Sequence, residues 1–472
     1  MSLLPLFASV LLASAVVHAG TVEARKAPDK PWEAFPTRTL SDLSSFRTGP
    51  AVTLTEYGGW KNPGPVEGGN PSGFFRTKKI GDRWWLIDPD GCRFLHIGVA
   101  SVRPLASPGA RKVFSEKFGT GEKWAAETTS WLRQRGFNGL GCWPELPVLS
   151  SVPPPPLVYT FTLNLLGGYL KKIGLKQWKQ GETGDASVLP VFDEAFSAHC
   201  REEAAAKLAD LREDKFLLGT YSDNEIIMPD LESSLREDAS EPLRESTRRE
   251  ARRWLRERRG LAADAPLGSL EVSKEEQNAW AGHWFDHYYR VTTEAVRAAD
   301  PNHLCLGSRL HGRPKYVREI WEAAGRHLDV VSVNYYSRWG PEPDIVRDWM
   351  KAARKPFLVT EFYVKGADSG MPNATMKAAA GWEVKTQADR GKFYENFVIA
   401  LLESRGCVGW HWFRYQDEDP ESTDGRKGTA NKGIVSNRYE PYEPLLKSMK
   451  AVNEAAYPLA EWLDRSGGGS KP

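Results

Sequence analysis

Cysteine is scarce. Cys92, Cys142, Cys200, Cys305 and Cys407 stand far apart in a chain of 472 residues, and no two share the C-x-x-C spacing of a zinc or redox site. Five is an odd number that allows at most two disulfides, so crosslinks do not make this fold. An excess of charge of one sign is also missing. Lys and Arg total 63 against 61 Asp and Glu, a formal charge of +2, whereas binding nucleic acid through counterion release draws on a concentrated basic surplus. The same balance argues against an acidic tail or a membrane-surface segment. Beyond the first 19 residues no apolar run is long enough to cross a bilayer. With 41% hydrophobic and 26% charged residues the composition is that of a globular chain and not of a disordered one. What the chain has in quantity is aromatic: 18 Trp, 15 Tyr and 19 Phe, more Trp than a core obviously needs. Indole faces also suit stacking on flat or ring-shaped ligands.

The apolar run over residues 3–17, followed by Val17-His18-Ala19, predicts a secretory signal over 1–19 and a secreted or periplasmic mature chain. Residues 20–92 are expected to form an extended lead-in ending in a β-hairpin, with Gly73-Phe-Phe-Arg and Arg83-Trp-Trp-Leu-Ile-Asp joined at Gly81-Asp82. Eight short apolar segments follow, at 94–101, 136–143, 157–165, 216–222, 303–308, 329–335, 356–361 and 407–413. Helical patterns lie between them, for example at 194–213, 279–299 and 385–404. Strand and helix alternating eight times predicts an α/β fold, a (β/α)8 TIM barrel over 93–460, with a doubly wound sheet as the alternative. Residues 461–472 are expected to be a flexible tail. The arginine-dense insertion at 232–264 carries interleaved Glu at helical spacing and reads as a solvated, ion-paired helix.

In such a barrel, polar residues at the C-terminal ends of strands converge on one cleft. The fourth strand ends Tyr221-Ser-Asp-Asn-Glu225 and the seventh ends Val359-Thr-Glu361. Two converging carboxyls are the pair that glycosidic cleavage needs, one to protonate the leaving oxygen and one to attack or to orient water. Arg309 and His311, after the fifth strand, are candidates to reach sugar hydroxyls or the nucleophile, and Arg103 and Trp143 to line the cleft. His283 and His287 have a metal-like spacing on a helix, without a third ligand; no metal and no cofactor are expected. His411, between Trp410 and Trp412, is expected to face away from the cleft.

These strand ends resemble the retaining glycoside hydrolases of clan A. The matching residues are Asn224-Glu225, Glu361, Ser332-Val-Asn-Tyr-Tyr-Ser and Gly409-Trp-His-Trp-Phe-Arg-Tyr-Gln-Asp417. Within the clan the sequence is most similar to the agarases of glycoside hydrolase family 50, also through Gly73-Phe-Phe-Arg and Asn431-Lys-Gly-Ile-Val, in order over roughly residues 70–455. The resemblance implies that Glu225 is the acid/base, Glu361 the nucleophile and Asn224 the donor to the sugar 2-hydroxyl. It further implies that Tyr335, or Tyr336 if strand parity is shifted by one, bonds the nucleophile, and that Trp412 or Trp410 forms the platform under the sugar. The partner expected is a polysaccharide or its oligosaccharides, cleaved at a β-galactosidic linkage. The alternatives are another polymer (a glucan, mannan or uronic-acid-containing one) and a non-catalytic carbohydrate-binding barrel.

Overall fold

The computed structural model describes residues 20–466, apart from 28, 48, 50–51, 63, 67–70, 154, 237–241, 269, 374–380, 420 and 422–429. The expected signal over 1–19 and the last six residues of the expected tail lie outside the described residues. Eight parallel strands make one sheet: β1 (His96–Val99), β2 (Gly139–Leu140), β3 (Val158–Thr162), β4 (Leu217–Tyr221), β5 (Leu304–Gly307), β6 (Val331–Asn334), β7 (Phe357–Phe362) and β8 (Cys407–Trp412). Their hydrogen-bonded order is β5-β4-β3-β2-β1-β8-β7-β6, so every strand lies beside its neighbour in sequence and the first lies beside the last. The two ends of that order meet. Leu310, just past β5, bridges in parallel to Val333 of β6, with Leu310 N donating to Ser332 O at 2.8 Å and Asn334 N to Leu310 O at 3.0 Å. An open doubly wound sheet keeps two free edges; here they are joined into a nearly closed TIM-like barrel.

Amphipathic helices cover the outside. Glu194–Leu208, Lys274–Ala299, Arg318–His327, Pro343–Ala353 and Gln387–Glu403 occupy successive crossovers from β3 to β8. The longest starts at Ser273, whose hydroxyl accepts from Glu276 N while the Glu276 carboxylate accepts from Ser273 N, a capping box that fixes the first turn. Inside the barrel, Ala100, Cys142, Val158, Leu218, Leu306, Leu358 and Val408 form a small apolar core. Most of the tryptophans lie in the second, larger cluster between sheet and helices, Trp280, Trp284, Trp321 and Trp349 among them. All five cysteines are buried and unpaired.

The lead-in is more structured than expected. Gly20–Arg25 pairs with Glu33–Thr37 and, on its other edge, with Glu383–Val384, in a four-stranded sheet completed by Lys365–Gly366. The second hairpin is where the turn signal puts it, Arg76–Ile80 against Arg83–Ile87, turning at Gly81 with φ +59°. Arg83, fully buried, bonds Asp464 at 2.8 Å, and Asp464 lies on the last helix, Glu443–Ser466. Residues 461–466 of the expected tail are therefore helical. The arginine-dense insertion contains the helix Glu245–Arg258, with Arg253 between Glu250 and Glu257, but Arg248 is buried on the carbonyls of Ser233 and Arg236. Among the described residues no helix is long and apolar enough to cross a membrane.

Candidate active site

The two glutamates reach the mouth of the barrel by different backbone devices. In β7 the register with β6 slips between Val359 and Glu361, so Thr360 and Glu361 both turn inward, a β-bulge that aims a side chain the regular pleat would hide. Glu225 lies four residues past the last paired residue of β4, in the left-handed region at φ +51°. Such a conformation is costly for a residue with a Cβ and persists only where its surroundings impose it. They do: Glu225 N donates to Ser308 O at 3.0 Å, and the Glu225 carbonyl accepts from Trp178 Nε1 at 2.8 Å and Gln180 Nε2 at 2.6 Å. Asp223 anchors the same turn, its carboxylate accepting from the amides of Leu166 and Gly167 and from the Tyr288 hydroxyl.

Hydrogen bonds run without a break from one glutamate to the other. Arg309, fully buried and itself at φ +53°, donates to Glu361, to Asn224 Oδ1 at 2.9 Å and to Thr360 Oγ1 at 3.4 Å. Thr360 donates to Asn334 Oδ1 at 2.6 Å, and Asn334 Nδ2 donates to Glu225 Oε1 at 2.7 Å. Tyr336 completes the hold on Glu361 with its hydroxyl, and the Cys142 thiol lies 3.6 Å from Glu361 Oε1. Burial raises the Glu361 carboxyl above its ordinary range; the Arg309 charge opposes that shift, the Glu225 charge adds to it, and the Tyr336 hydroxyl opposes it. Burial likewise raises Glu225, opposed by the Asn334 amide and then by Arg309. The pair can therefore hold one carboxylate among fixed donors and keep a proton on the other at a pH where a free carboxylic acid has lost it.

Of the residues singled out in the sequence, Glu225, Asn224, Arg309 and Glu361 meet in this network. Trp143 stacks over the Arg309 guanidinium, 4.7 Å from ring centre to Cζ. His311 lies 3.8 Å from Glu225 Oε1 and edge-on to Tyr336, and burial lowers its basicity. Three expectations are corrected. Tyr335 points out of the barrel, bonding Glu342 and packing on Trp349 and Phe397, while Tyr336 faces Glu361. Trp410 and Trp412 are fully buried under the helices, their indole N–H groups on Tyr394 Oη and Lys432 O, so neither offers a face to a ligand. His411 instead points inward, where its Nε2 meets His96 Nδ1 at 2.8 Å. The cause is a slipped register: Phe357 pairs with Cys407 but Val359 with Trp410, so β8 carries an extra residue and its later side chains exchange faces. Phe413, one residue beyond the Trp pair, is the aromatic near the cleft, 6.4 Å from Tyr336 and 6.1 Å from Tyr363 between ring centres. His283 and His287 bond Glu250 and the Val191 carbonyl.

No family model matches the chain. It is similar to beta-agarase B of Vibrio sp. (strain JT0107), 23% identical over 531 residues that span 89% of this chain and 52% of that protein. Beta-agarase A of the same strain is 22% identical over 89% of this chain and 49% of its own. The chain thus spans about half the length of the curated relatives it matches. Among solved structures, BpGH50 superposes with a TM-score of 0.80 at 28% identity, covering 94% of this chain and 96% of that one. The agarase AgWH50C shares the fold at a TM-score of 0.67 and 22% identity, covering 87% of this chain and 67% of its own. The likeness to BpGH50 thus runs over almost the whole of both chains.

Four participants of this site escaped the sequence reading: Asn334, Thr360, Trp178 and Gln180. Asn334 could have been found, since it is two residues before Tyr336 and so shares its face. Thr360 is exposed to the site only through the bulge. Trp178 and Gln180 sit in a polar loop with no periodicity, and nothing local in the sequence ties them to Glu225.

Proposed function

We propose that this protein is an exported retaining β-glycosidase that cleaves β-galactosidic linkages of an agarose-like polysaccharide or its oligosaccharides by double displacement. The observation that carries the reading is the unequal treatment of two carboxyls in one network, Glu361 among the donors of Arg309 and Tyr336 and Glu225 under burial with one side-chain donor. Glu361 attacks the anomeric carbon, the glycosidic C–O bond breaks, and the proton of Glu225 goes to the departing oxygen. Forming the ester removes the negative charge of Glu361 from the site, and the Asn334 and Arg309 contributions then favour the Glu225 carboxylate. Glu225 next takes a proton from water, whose oxygen attacks the same carbon and releases Glu361. Asn224, with Oδ1 occupied by Arg309, is left with its amide N–H groups to donate to the sugar 2-hydroxyl, a contact that tightens in the oxocarbenium-like transition state. The similarity to agarases supports a galactan as the polymer, and the apolar N-terminal run supports export.

Replacing Glu361 by Ala or Gly tests the assignment. Hydrolysis of agarose oligosaccharides should vanish, and azide should restore turnover by forming a glycosyl azide; unassisted activity in the variant would remove Glu361 from the nucleophile's role. NMR of the first-formed product in the wild type should show retention of configuration, and inversion would exclude double displacement.

A further inference from the structure

Arg414 follows Phe413 at the end of β8, on the side of the barrel mouth opposite Glu225. Its backbone is fixed from both sides, Arg414 N donating to Lys432 O at 3.1 Å and Ile434 N to Arg414 O at 3.2 Å. Arg414 is half-buried: its Nε is out of contact with solvent and has no hydrogen-bond partner, while the two terminal nitrogens are open to a ligand. Arg414 forms no side-chain hydrogen bond or ion pair among the described residues. The two carboxylates whose charge reaches it are engaged elsewhere: Asp417 accepts from Asn431, Gly433 N and Tyr442, and Glu418 accepts from Lys432 and Ala430 N. Its strongest charged neighbour is a second cation, Arg103, exposed on the loop after β1, the strand that pairs with β8. Its neighbour in the chain, Phe413, lies beside Tyr336, which bonds Glu361, so Arg414 stands at the rim of the same cleft.

A buried N–H without an acceptor is costly, and among the described residues none bonds Arg414 Nε. A planar fork beside a second cation matches a sulfate ester or a carboxylate, each of which presents paired oxygens. We propose that Arg414 and Arg103 form a subsite for an anionic substituent, a sulfate or a carboxylate, on the sugar that Glu361 retains, so that the substrate is a charged galactan or its oligosaccharides in preference to a neutral one. This rests on the hydrolytic reading of the site. The leaving portion of the substrate lies toward Glu225, its proton donor, so a group bound on the β1–β8 side belongs to the glycone.

The test compares neutral agarose oligosaccharides with galactan oligosaccharides carrying sulfate esters and with others carrying uronic acids. The wild type should show a higher kcat/KM on one of the charged series, and which series it favours separates sulfate from carboxylate. Arg414→Ala should lose about 10- to 100-fold on that series while leaving the neutral one unchanged. Arg414→Lys keeps the stem and the charge but not the fork, and should lose part of that preference with folding intact. Equal losses on charged and neutral sugars, or a wild type that prefers the neutral ones, would overturn the subsite. If the wild type cleaves none of them, the hydrolytic reading fails instead. Calorimetric binding of the same sugars to Glu361→Gln with and without Arg414→Ala then still decides the subsite: tighter binding of charged sugar that depends on Arg414 supports it, and indifference to charge rejects it.

Discussion

Asn334 donates to Glu225 Oε1 at 2.7 Å while its own oxygen is occupied by the Thr360 hydroxyl at 2.6 Å. The amide is thereby fixed in one orientation, N–H toward the carboxyl, and can only favour the ionised form of Glu225. Asn334→Ala removes the largest influence that opposes burial at Glu225. The alkaline limb of the kcat/KM profile should move to higher pH, and kcat should fall about 10- to 100-fold as the base step slows. A limb that moves to lower pH would show that Asn334 does not tune Glu225.

Adjacent tyrosines on one strand should behave oppositely. Tyr336→Phe removes a donor to Glu361 and should lower kcat on the order of 100-fold with little change in unfolding free energy. Tyr335→Phe breaks the bond to Glu342 outside the barrel and should cost about 0.5–1.5 kcal/mol of stability with kcat retained. Steady-state kinetics and urea unfolding on the two variants separate these outcomes, and a reversal would mean that Tyr335 faces the cleft.

The imidazole pair inside the barrel makes a prediction for acid stability. Burial lowers His96 to about 4 and His411 well below its ordinary value. In both, the folded state disfavours the charged form, so their contribution is whole above the unfolded value of about 6.5 and is lost as pH falls toward the folded one. Each should add a slope of about 1.4 kcal/mol per pH unit between those limits. His411→Gln, which cannot take up the charge, should show a flatter decline between pH 7 and 5 by denaturant unfolding relative to its own value at pH 7. A decline as steep as that of the wild type would clear His411 of any part in it.

The barrel was legible because its signals are local and repeated: apolar strands followed by amphipathic helices, with Gly81-Asp82 marking a hairpin. Glu225, Glu361, Asn224 and Arg309 were legible because each ends such a strand. Which face a residue takes was not, wherever the pleat is interrupted. One extra residue in β8 exchanged Trp410 and Trp412 for His411 on the inner face. The glycines around that face allow it, since a Cβ on Gly98 would come 2.8 Å from the His411 ring and one on Gly141 2.9 Å. A bulge depends on its partner strand, and the partner is not written next to it in the sequence. The lead-in strand Gly20–Arg25 has one partner close by, Glu33–Thr37, but the other, Glu383–Val384, lies more than 350 residues away, and nothing local in the sequence points to it.

Trp178 and Gln180 hold the carbonyl of Glu225 from a loop that belongs to a different β-to-α unit. Barrel loops are commonly free to vary one at a time because each hangs from its own strand. That freedom is withdrawn here: the placement of Glu225 is joint property of two units, and lengthening the segment between Leu165–Lys172 and Glu194–Leu208 would disturb it even if no sugar touched the loop. Conversely, anything that displaced this loop would pull on the backbone of Glu225 through two hydrogen bonds, so the rim and the position of that carboxyl are mechanically linked.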